Sequence, residues 1–245
     1  MDIKLVLFDI EGTLTLGPDG TGHDPELYSC LKKLTAKGIK VGLVSGREAS
    51  YMKGIYRFFE LNGPIIAENG CLLIPDLNRN ETDVKNYGGF TEEKKRQIRE
   101  KLNGYDFSPL FEDTGKQSMF TLVNYDLNIL VRKHKEIKEL LADESNIEVT
   151  HSAGAVDITP KGVNKGTTIT RYCREFNFPL SSVCYVGDSL NDMAAFEVVG
   201  EGGGFLGVVS DFPVLRKKLE DYPVYYTKNS ASNGAVEFIK YILKK

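Results

Sequence analysis

The most constraining feature of the sequence is a short segment at residues 3–8 that leads directly into two acidic residues, Asp9 and Glu11. The segment is too short for a helix and, apart from Lys4, it is apolar. This pattern predicts a strand that is buried on both faces, as in a parallel sheet. A buried strand that ends in two neighbouring carboxylates needs a chemical explanation.

The segments that follow alternate between predicted helices and strands. Residues 24–38 predict a helix with a stripe of leucines, and residues 39–44 predict a second buried strand. Residues 63–70 predict a third strand and its turn. Strands that alternate with helices favour right-handed βαβ units and a parallel sheet.

The pattern changes between residues 82 and 159, where the chain is more polar and a charged helix, short strands and a second helix are predicted. The first pattern resumes near Lys165. The predicted fold class is therefore α/β. A doubly wound, mainly parallel Rossmann-like sheet forms the core from residues 1–81 and 160–245, and residues 82–159 form an inserted α+β domain.

Composition excludes several classes of function. The formal net charge is −3 at pH 7, so no basic excess favours nucleic acid or an anionic membrane as a partner. No segment has the length and apolarity of a membrane span, and the first residues do not resemble a signal peptide. The four cysteines lack CxxC spacing, which favours buried thiols in a reducing compartment. We therefore expect a cytoplasmic protein. Its oligomeric state, monomer or homodimer, does not follow from the sequence.

Polar side chains gather where the predicted core strands end, which is where open α/β sheets bind ligands. The first strand delivers Asp9 and Glu11, the second delivers Ser45 with Gly46, and the strand VCYVG delivers Asp188 with Asp192. Lys165 stands just before the helix that leads to this last strand. Crowded carboxylates repel one another unless a cation joins them, and oxygen ligands suit Mg²⁺. A metal ion and a lysine would attract an anion, so a phosphate group could present its phosphorus atom to Asp9.

Four segments resemble the motifs of the haloacid dehalogenase superfamily of phosphatases. They are DIEGTLT at 9–15, LVSGR at 43–47, GVNKG at 162–166 and GDSLNDM at 187–193. The segments IIAENG and GVNKG further resemble the Cof-like branch, which includes sucrose-phosphate phosphatase, phosphomannomutase and archaeal phosphoglycolate phosphatase. The resemblance implies that the insert is a type C2 cap, with hinges near Glu81 and Thr159, that closes over the substrate.

The resemblance implies three catalytic residues. Asp9 would be the nucleophile and form an aspartyl-phosphate. Glu11 would protonate the leaving oxygen and later activate water. Lys165 would neutralise charge on the nucleophile and the phosphate. Glu11 departs from the family pattern, which usually has aspartate at this position. The side chain of glutamate is longer than that of aspartate by one methylene.

The resemblance also implies the ligands of phosphate and metal. Ser45, the amide of Gly46 and Asn191 would bind phosphate. The metal residues would be Asp9, Glu11 through its main-chain oxygen, Asp188, and Asp192 as a support. The implied cofactor is Mg²⁺.

The implied reaction is Mg²⁺-dependent hydrolysis of a small phosphorylated metabolite, either a sugar phosphate or an acid like phosphoglycolate. Ser118, Thr121 and Asn124 of the insert are candidates for selecting it. Two alternatives remain open. One is a phosphohexomutase of the phosphomannomutase type. The other is a weakly catalytic phosphosugar-binding or regulatory protein, if Glu11 cannot serve as the acid.

Overall fold

The computed structural model describes residues 2–17, 20–80, 83–152, 154–210 and 212–245. The chain forms two compact units, of which one comprises Met1–Lys85 and Asn164–Lys245 and the other Asn86–Val163. The expected domain boundaries were four residues earlier at each junction. The expected hinge near Glu81 lies outside the described residues, whereas Thr159 lies inside a strand of the second unit.

The structure contains twelve strands and eight α-helices among the described residues. The strands are β1 (Leu5–Phe8), β2 (Lys40–Val44), β3 (Ile65–Ala67), β4 (Leu72–Ile74), β5 (Lys85–Asn86), β6 (Phe111–Glu112), β7 (Phe120–Val123), β8 (Ile147–His151), β9 (Ala155–Pro160), β10 (Val183–Gly187), β11 (Phe205–Val208) and β12 (Val224–Tyr226). The helices are α1 (Leu27–Ala36), α2 (Ala49–Phe58), α3 (Glu92–Lys101), α4 (Leu127–Leu140), α5 (Lys165–Glu175), α6 (Met193–Glu201), α7 (Pro213–Lys218) and α8 (Ala231–Ile242).

The larger sheet has the strand order β12-β11-β10-β1-β2-β3-β4-β5. The five pairings from β12 to β3 are parallel, and β4 is antiparallel to β3. The four residues of β1 are fully buried, as expected for a strand with helices on both faces of its sheet. This mainly parallel sheet with an inserted α+β unit confirms the predicted fold class.

The smaller unit has an antiparallel sheet in the order β6-β7-β9-β8. One face packs against α3 and α4 through a core that includes Leu122, Ile137 and Ile158. Thr121 alternates with these core residues along β7, and its hydroxyl donates to Asp157 at 2.8 Å on the other face. The Thr121–Asp157 pair therefore lies on the sheet face opposite the helices, where Thr121 is buried.

Two further features bear on expectations from the sequence. The four cysteines, all in the described part of the chain, are buried and none forms a disulfide bond. Among the described residues, no helix is both long enough and apolar enough to span a membrane.

Candidate active site

The register of the larger sheet brings the predicted strand-end residues to one edge. Phe8, the last residue of β1, pairs with Leu43 of β2 and with Val186 of β10. The next residues along these strands therefore emerge side by side, and they include Asp9 and Asp188. Parallel pairing of neighbouring strands, rather than any local sequence contact, assembles the site.

Lys165 enters this edge because α5 begins there. Asn164 caps the helix by accepting from the amide of Thr167 at 2.9 Å, and the Thr167 hydroxyl accepts from the amide of Asn164 at 3.0 Å. The lysine side chain is 2% exposed, and its Nζ donates to Asp9 Oδ1 at 2.8 Å and to Asp192 Oδ1 at 2.7 Å. The cap thus fixes the position at which the ammonium group of Lys165 enters the sheet edge.

Asp192 organises this cluster through four hydrogen bonds. Its Oδ1 accepts from Lys165 and, at 2.6 Å, from the hydroxyl of Tyr185. Its Oδ2 accepts from the backbone amides of Asp188 at 3.0 Å and Ser189 at 3.3 Å. Both carboxylate oxygens are therefore engaged, and Asp192 holds the lysine and the loop that carries Asp188.

Burial and crowding of like charges perturb the acids. Burial raises the pKa of Asp9 well above its ordinary value; the charge of Lys165 opposes this change, while the charges of Asp192, Asp188 and Glu11 add to it. Burial, followed by the charge of Asp192, raises the pKa of Asp188 to about 7. For Lys165, burial lowers the pKa, but the charges of Asp192 and Asp9 outweigh burial and raise it overall.

The acidic cluster fits a divalent cation. Carboxylate oxygens of Asp9, Asp188 and Asp192 lie within 4.8 Å of one another, and no other such group of three metal-binding side chains occurs among the described residues. One lysine cannot balance three carboxylates. Asp9 accepts from Lys165, and Asp188 accepts from Thr13 at 3.3 Å, so each retains acceptor capacity for a hard cation.

Glu11 has different partners from those of the acidic cluster. Its Oε1 accepts from Arg47 Nε at 2.7 Å, and its Oε2 accepts from the hydroxyl of Ser45 at 3.0 Å. The Ser45 oxygen also accepts from the backbone amide of Arg47 at 3.3 Å. The predicted phosphate ligand and the predicted acid–base residue are therefore bonded to each other, and the single proton of Ser45 is engaged.

The two other predicted phosphate ligands differ in their placement. Gly46 follows Ser45 and lies against Asn69, since a Cβ atom at Gly46 would be 3.0 Å from Asn69 Oδ1. Asn191 is exposed, and its Oδ1 accepts from the Ser189 hydroxyl at 2.6 Å. Within the described residues, Asn191 shares the loop of Asp188 but is not part of the hydrogen-bonded cluster around Lys165.

The predicted selecting residues of the insert have local partners. Thr121 donates to Asp157, and the Asn124 side-chain amide donates to the carbonyl of Pro109 at 2.9 Å. Ser118 is buried. Thr121 lies buried on the face of the smaller sheet opposite the helices, whereas Asn124 stabilises a loop at its edge.

Four residues that contribute to the site have no role assigned to them from the sequence. Arg47 stands in the LVSGR segment, where its partner could not be foreseen. Tyr185 lies inside the apolar run of β10, so only its hydroxyl distinguishes it from a core residue. Glu68 and Asn69 have φ values of 51° and 53°, and the amide of Asn69 donates to the carbonyl of Ser45 at 3.2 Å. In the sequence, the segment ENG at residues 68–70 is the feature that indicates this turn.

Comparison with known sequences agrees with this geometry. The profile of the haloacid dehalogenase-like hydrolase family matches residues 6–116 and 87–203. A protein named phosphoglycolate phosphatase 1 from Saccharolobus solfataricus is 28% identical over 246 residues, which cover 99% of this chain and 96% of the relative. A phosphoglycolate phosphatase from Staphylothermus marinus is 29% identical over 251 residues, which cover 99% of each chain.

Solved structures share the fold of this chain. The crystal structure of Thermoplasma acidophilum 0175 aligns with a TM-score of 0.76 and 17% identity over 98% of each chain. The sucrose-phosphatase from Synechocystis, solved in complex with sucrose and phosphate, aligns with a TM-score of 0.70 and 16% identity, again over 98% of each chain. At these identities the likeness shows the fold.

Proposed function

Since this chain belongs to the haloacid dehalogenase-like hydrolase family and is a phosphatase, we propose that it hydrolyses a small phosphomonoester through an aspartyl-phosphate on Asp9. One observation carries the proposal. The buried carboxylate of Asp9 lies at the carboxyl end of β1, 2.8 Å from Lys165 and in a group with Asp188. An ionisable nucleophile beside a buried ammonium group is arranged to receive an anionic substrate.

In the first step, an oxygen of Asp9 attacks phosphorus and the bond from phosphorus to the ester oxygen breaks. Protonated Glu11 gives its proton to the leaving oxygen, which departs as an alcohol. Lys165 offsets the negative charge that Asp9 and the phosphoryl group bring together. The products are the aspartyl-phosphate, the free alcohol and ionised Glu11.

In the second step, Glu11 takes a proton from a water molecule whose oxygen attacks the same phosphorus atom. The bond between phosphorus and Asp9 breaks, inorganic phosphate leaves, and Glu11 is protonated again. Ser45 can donate its proton to a phosphoryl oxygen only after it releases Glu11 Oε2, because a hydroxyl group has one proton. Binding of phosphate therefore exchanges one partner of Ser45 for another.

The residues around Asp9 fit Mg²⁺: Asp9, Asp188 and the main-chain oxygen of Glu11 would hold it, and when bound it would offset negative charge on the phosphoryl group. Asp192 would act indirectly, because its oxygens are occupied by Lys165, Tyr185 and two backbone amides. Its task is to keep Lys165 and the Asp188 loop in place.

The substrate class proposed first is a short phosphorylated acid such as phosphoglycolate. The names of the relatives from Saccharolobus solfataricus and Staphylothermus marinus support it, since their alignments span nearly the whole chain. A sugar phosphate is the second candidate, supported by the fold shared with the sucrose-phosphatase. We assign substrate selection to the unit Asn86–Val163, where Thr121 and Asp157 form a polar pair on the sheet face opposite the helices.

The test is release of inorganic phosphate by the purified protein with Mg²⁺, using 2-phosphoglycolate, hexose 6-phosphates and p-nitrophenyl phosphate. We expect turnover by the parent, none above the blank by Asp9→Asn, and full turnover by Asp221→Asn, which changes an exposed acid. A parent without turnover on any phosphomonoester would overturn the proposal. So would conversion of mannose 1-phosphate to mannose 6-phosphate with no phosphate released, which would indicate a mutase.

A further inference from the structure

We propose that Arg47 is a positioning residue for the acid–base carboxylate, and that Glu11 has the length needed to reach it. This inference rests on the proposed function, because it assigns a task to the group that moves the proton. It concerns the position at which this chain departs from the usual aspartate. Glu11 and Arg47 therefore act together.

The side chains of Arg47 and Glu11 are in direct contact. Arg47 Nε lies 2.7 Å from Glu11 Oε1, as a charge-assisted hydrogen bond between partly buried side chains. An aspartate on the same backbone would withdraw the carboxylate by one C–C bond, about 1.5 Å. That change would take the carboxylate out of hydrogen-bond range of the arginine. The extra methylene of Glu11 therefore makes this contact possible.

Tyr51 of α2 also contacts Arg47. The Arg47 guanidinium lies 5.2 Å from the centroid of the Tyr51 ring, within the range of a cation–π contact. Burial raises the pKa of the Tyr51 hydroxyl, and the charge of Glu11 and a hydrogen bond with it add to this change. Arg47, Tyr51 and Glu11 therefore form one polar cluster.

The backbone at Gly20 lies against this cluster. Gly20 has a φ of +83°, and a Cβ atom there would lie 2.7 Å from the Tyr51 hydroxyl oxygen and 3.6 Å from Glu11 Oε1. A side chain at this position would collide with the cluster. Gly20 therefore approaches the side chains of Tyr51, Glu11 and Arg47 as closely as a residue without a Cβ atom allows.

The partners of Ser45 explain why the arginine acts during the reaction. In the proposed function, Ser45 releases Glu11 when it turns to a phosphoryl oxygen. Arg47 and Tyr51 are then the contacts of the Glu11 carboxylate that persist, and of these two only Arg47 carries a charge. A misplacement of about 1 Å can lower a rate roughly a hundredfold. Loss of Arg47 should therefore impair proton transfer to the leaving oxygen while phosphate binding is retained.

The test compares phenyl phosphate with p-nitrophenyl phosphate, which differ in how much the leaving oxygen needs a proton. For Arg47→Met, we expect kcat/KM on phenyl phosphate to fall about 10- to 100-fold, and on p-nitrophenyl phosphate less than about threefold. The inhibition constant of inorganic phosphate should change less than about threefold. Arg57→Met, which removes an exposed arginine from α2, the helix that begins two residues after Arg47, should match the parent.

The same substitution in the Glu11→Asp variant distinguishes a positioning role of Arg47 from a general structural effect. In Glu11→Asp, where the carboxylate no longer reaches the arginine, adding Arg47→Met should change kcat/KM less than about twofold. Arg47→Lys, which retains the charge and most of the stem, should lose less than Arg47→Met on phenyl phosphate.

Three results would overturn the inference while the parent remains active. They are equal losses on both substrates, a large rise in the inhibition constant of phosphate, and an additive loss in the Glu11→Asp background. An inactive parent would instead overturn the proposed function, and the inference with it.

Discussion

Lys165 Nζ lies 2.7 Å from Asp192 Oδ1, and both side chains are almost completely shielded from solvent. The same ammonium group bonds to Asp9 at 2.8 Å, so one cation is shared by two buried acids. This arrangement links the nucleophile to the loop that carries Asp188, because Asp192 also accepts from the amide of Asp188. Charge balance, loop position and nucleophile orientation therefore depend on one lysine.

Lys165→Met should abolish turnover and destabilise the larger unit. Removal of one partner of a buried ion pair leaves uncompensated carboxylates, at a cost of about 3–5 kcal/mol. Phosphate release and urea unfolding measure the two effects. Lys217→Met, which removes an exposed lysine, is the control and should match the parent. Full activity of Lys165→Met would show that the proposed charge neutralisation is wrong.

Tyr185→Phe should lower stability by about 1.5–3 kcal/mol, because it removes the hydrogen bond of a buried hydroxyl to the carboxylate of Asp192. Activity should fall only a few-fold, since Lys165 still bonds to Asp192. Urea unfolding and initial rates measure these changes. Unchanged stability would mean that another donor replaces the hydroxyl at no cost.

Removal of divalent cations should lower the thermal midpoint, because a cation that binds the folded acids selectively stabilises the folded state. We expect Mg²⁺ to raise the midpoint of the parent after treatment with a chelator. Asp188→Asn should remove most of this rise, and Asp221→Asn should leave it intact. If Asp188→Asn responds to Mg²⁺ as the parent does, Asp188 is not a metal ligand.

The convergence of the strand-end residues could be predicted from the sequence because parallel strands fix it. Asp9 and Asp188 each follow a buried apolar run, and neighbouring parallel strands end at a common edge. The resemblance to the haloacid dehalogenase superfamily, predicted from four motifs, is confirmed by the family profile. These features depend on order along the chain, which a sequence displays.

The partners within the site could not be predicted, because they depend on side-chain torsions and on contacts distant in sequence. Nothing in the DIEG segment indicates that Glu11 bonds to Arg47 and Ser45. Tyr185 is equally hidden, since an aromatic residue in a buried strand is usually part of the core. The sequence predicts domain junctions after residues 81 and 159, whereas the compact units divide after Lys85 and Val163, because polar composition changes gradually along the chain.

Glu144 provides a test of pH dependence away from the site. Hydrogen bonds from Lys101 and Lys94 lower its pKa to about 2. A carboxylate with a lowered pKa contributes stability that is present above its unfolded value, near 4.5, and is lost as the pH falls through about 2. Glu144→Gln should therefore weaken the acid dependence of stability in this window, whereas Glu139→Gln, at an exposed position, should not.

The Glu144 effect should be small and should diminish with salt, because its ion pairs with Lys94 and Lys101 are partly exposed and ion pairs that solvent reaches are screened. Thermal midpoints between pH 2.5 and 7, at low and high salt, measure it. Identical pH profiles for Glu144→Gln and the parent would contradict the assigned role of the two lysines.

Gly12 and Gly38 form a matched pair for testing how closely the loop after β1 approaches Asp188. Both have positive φ values, +72° and +80°. A Cβ atom at Gly12 would lie 2.8 Å from Asp188 Oδ2, whereas a Cβ atom at Gly38 would meet no atom within 4 Å. Alanine should therefore cost about 1–2 kcal/mol of backbone strain at either position. Only Gly12→Ala should also displace Asp188 and reduce the Mg²⁺-dependent rise in thermal midpoint; equal Mg²⁺ responses of the two variants would refute a role for this close approach.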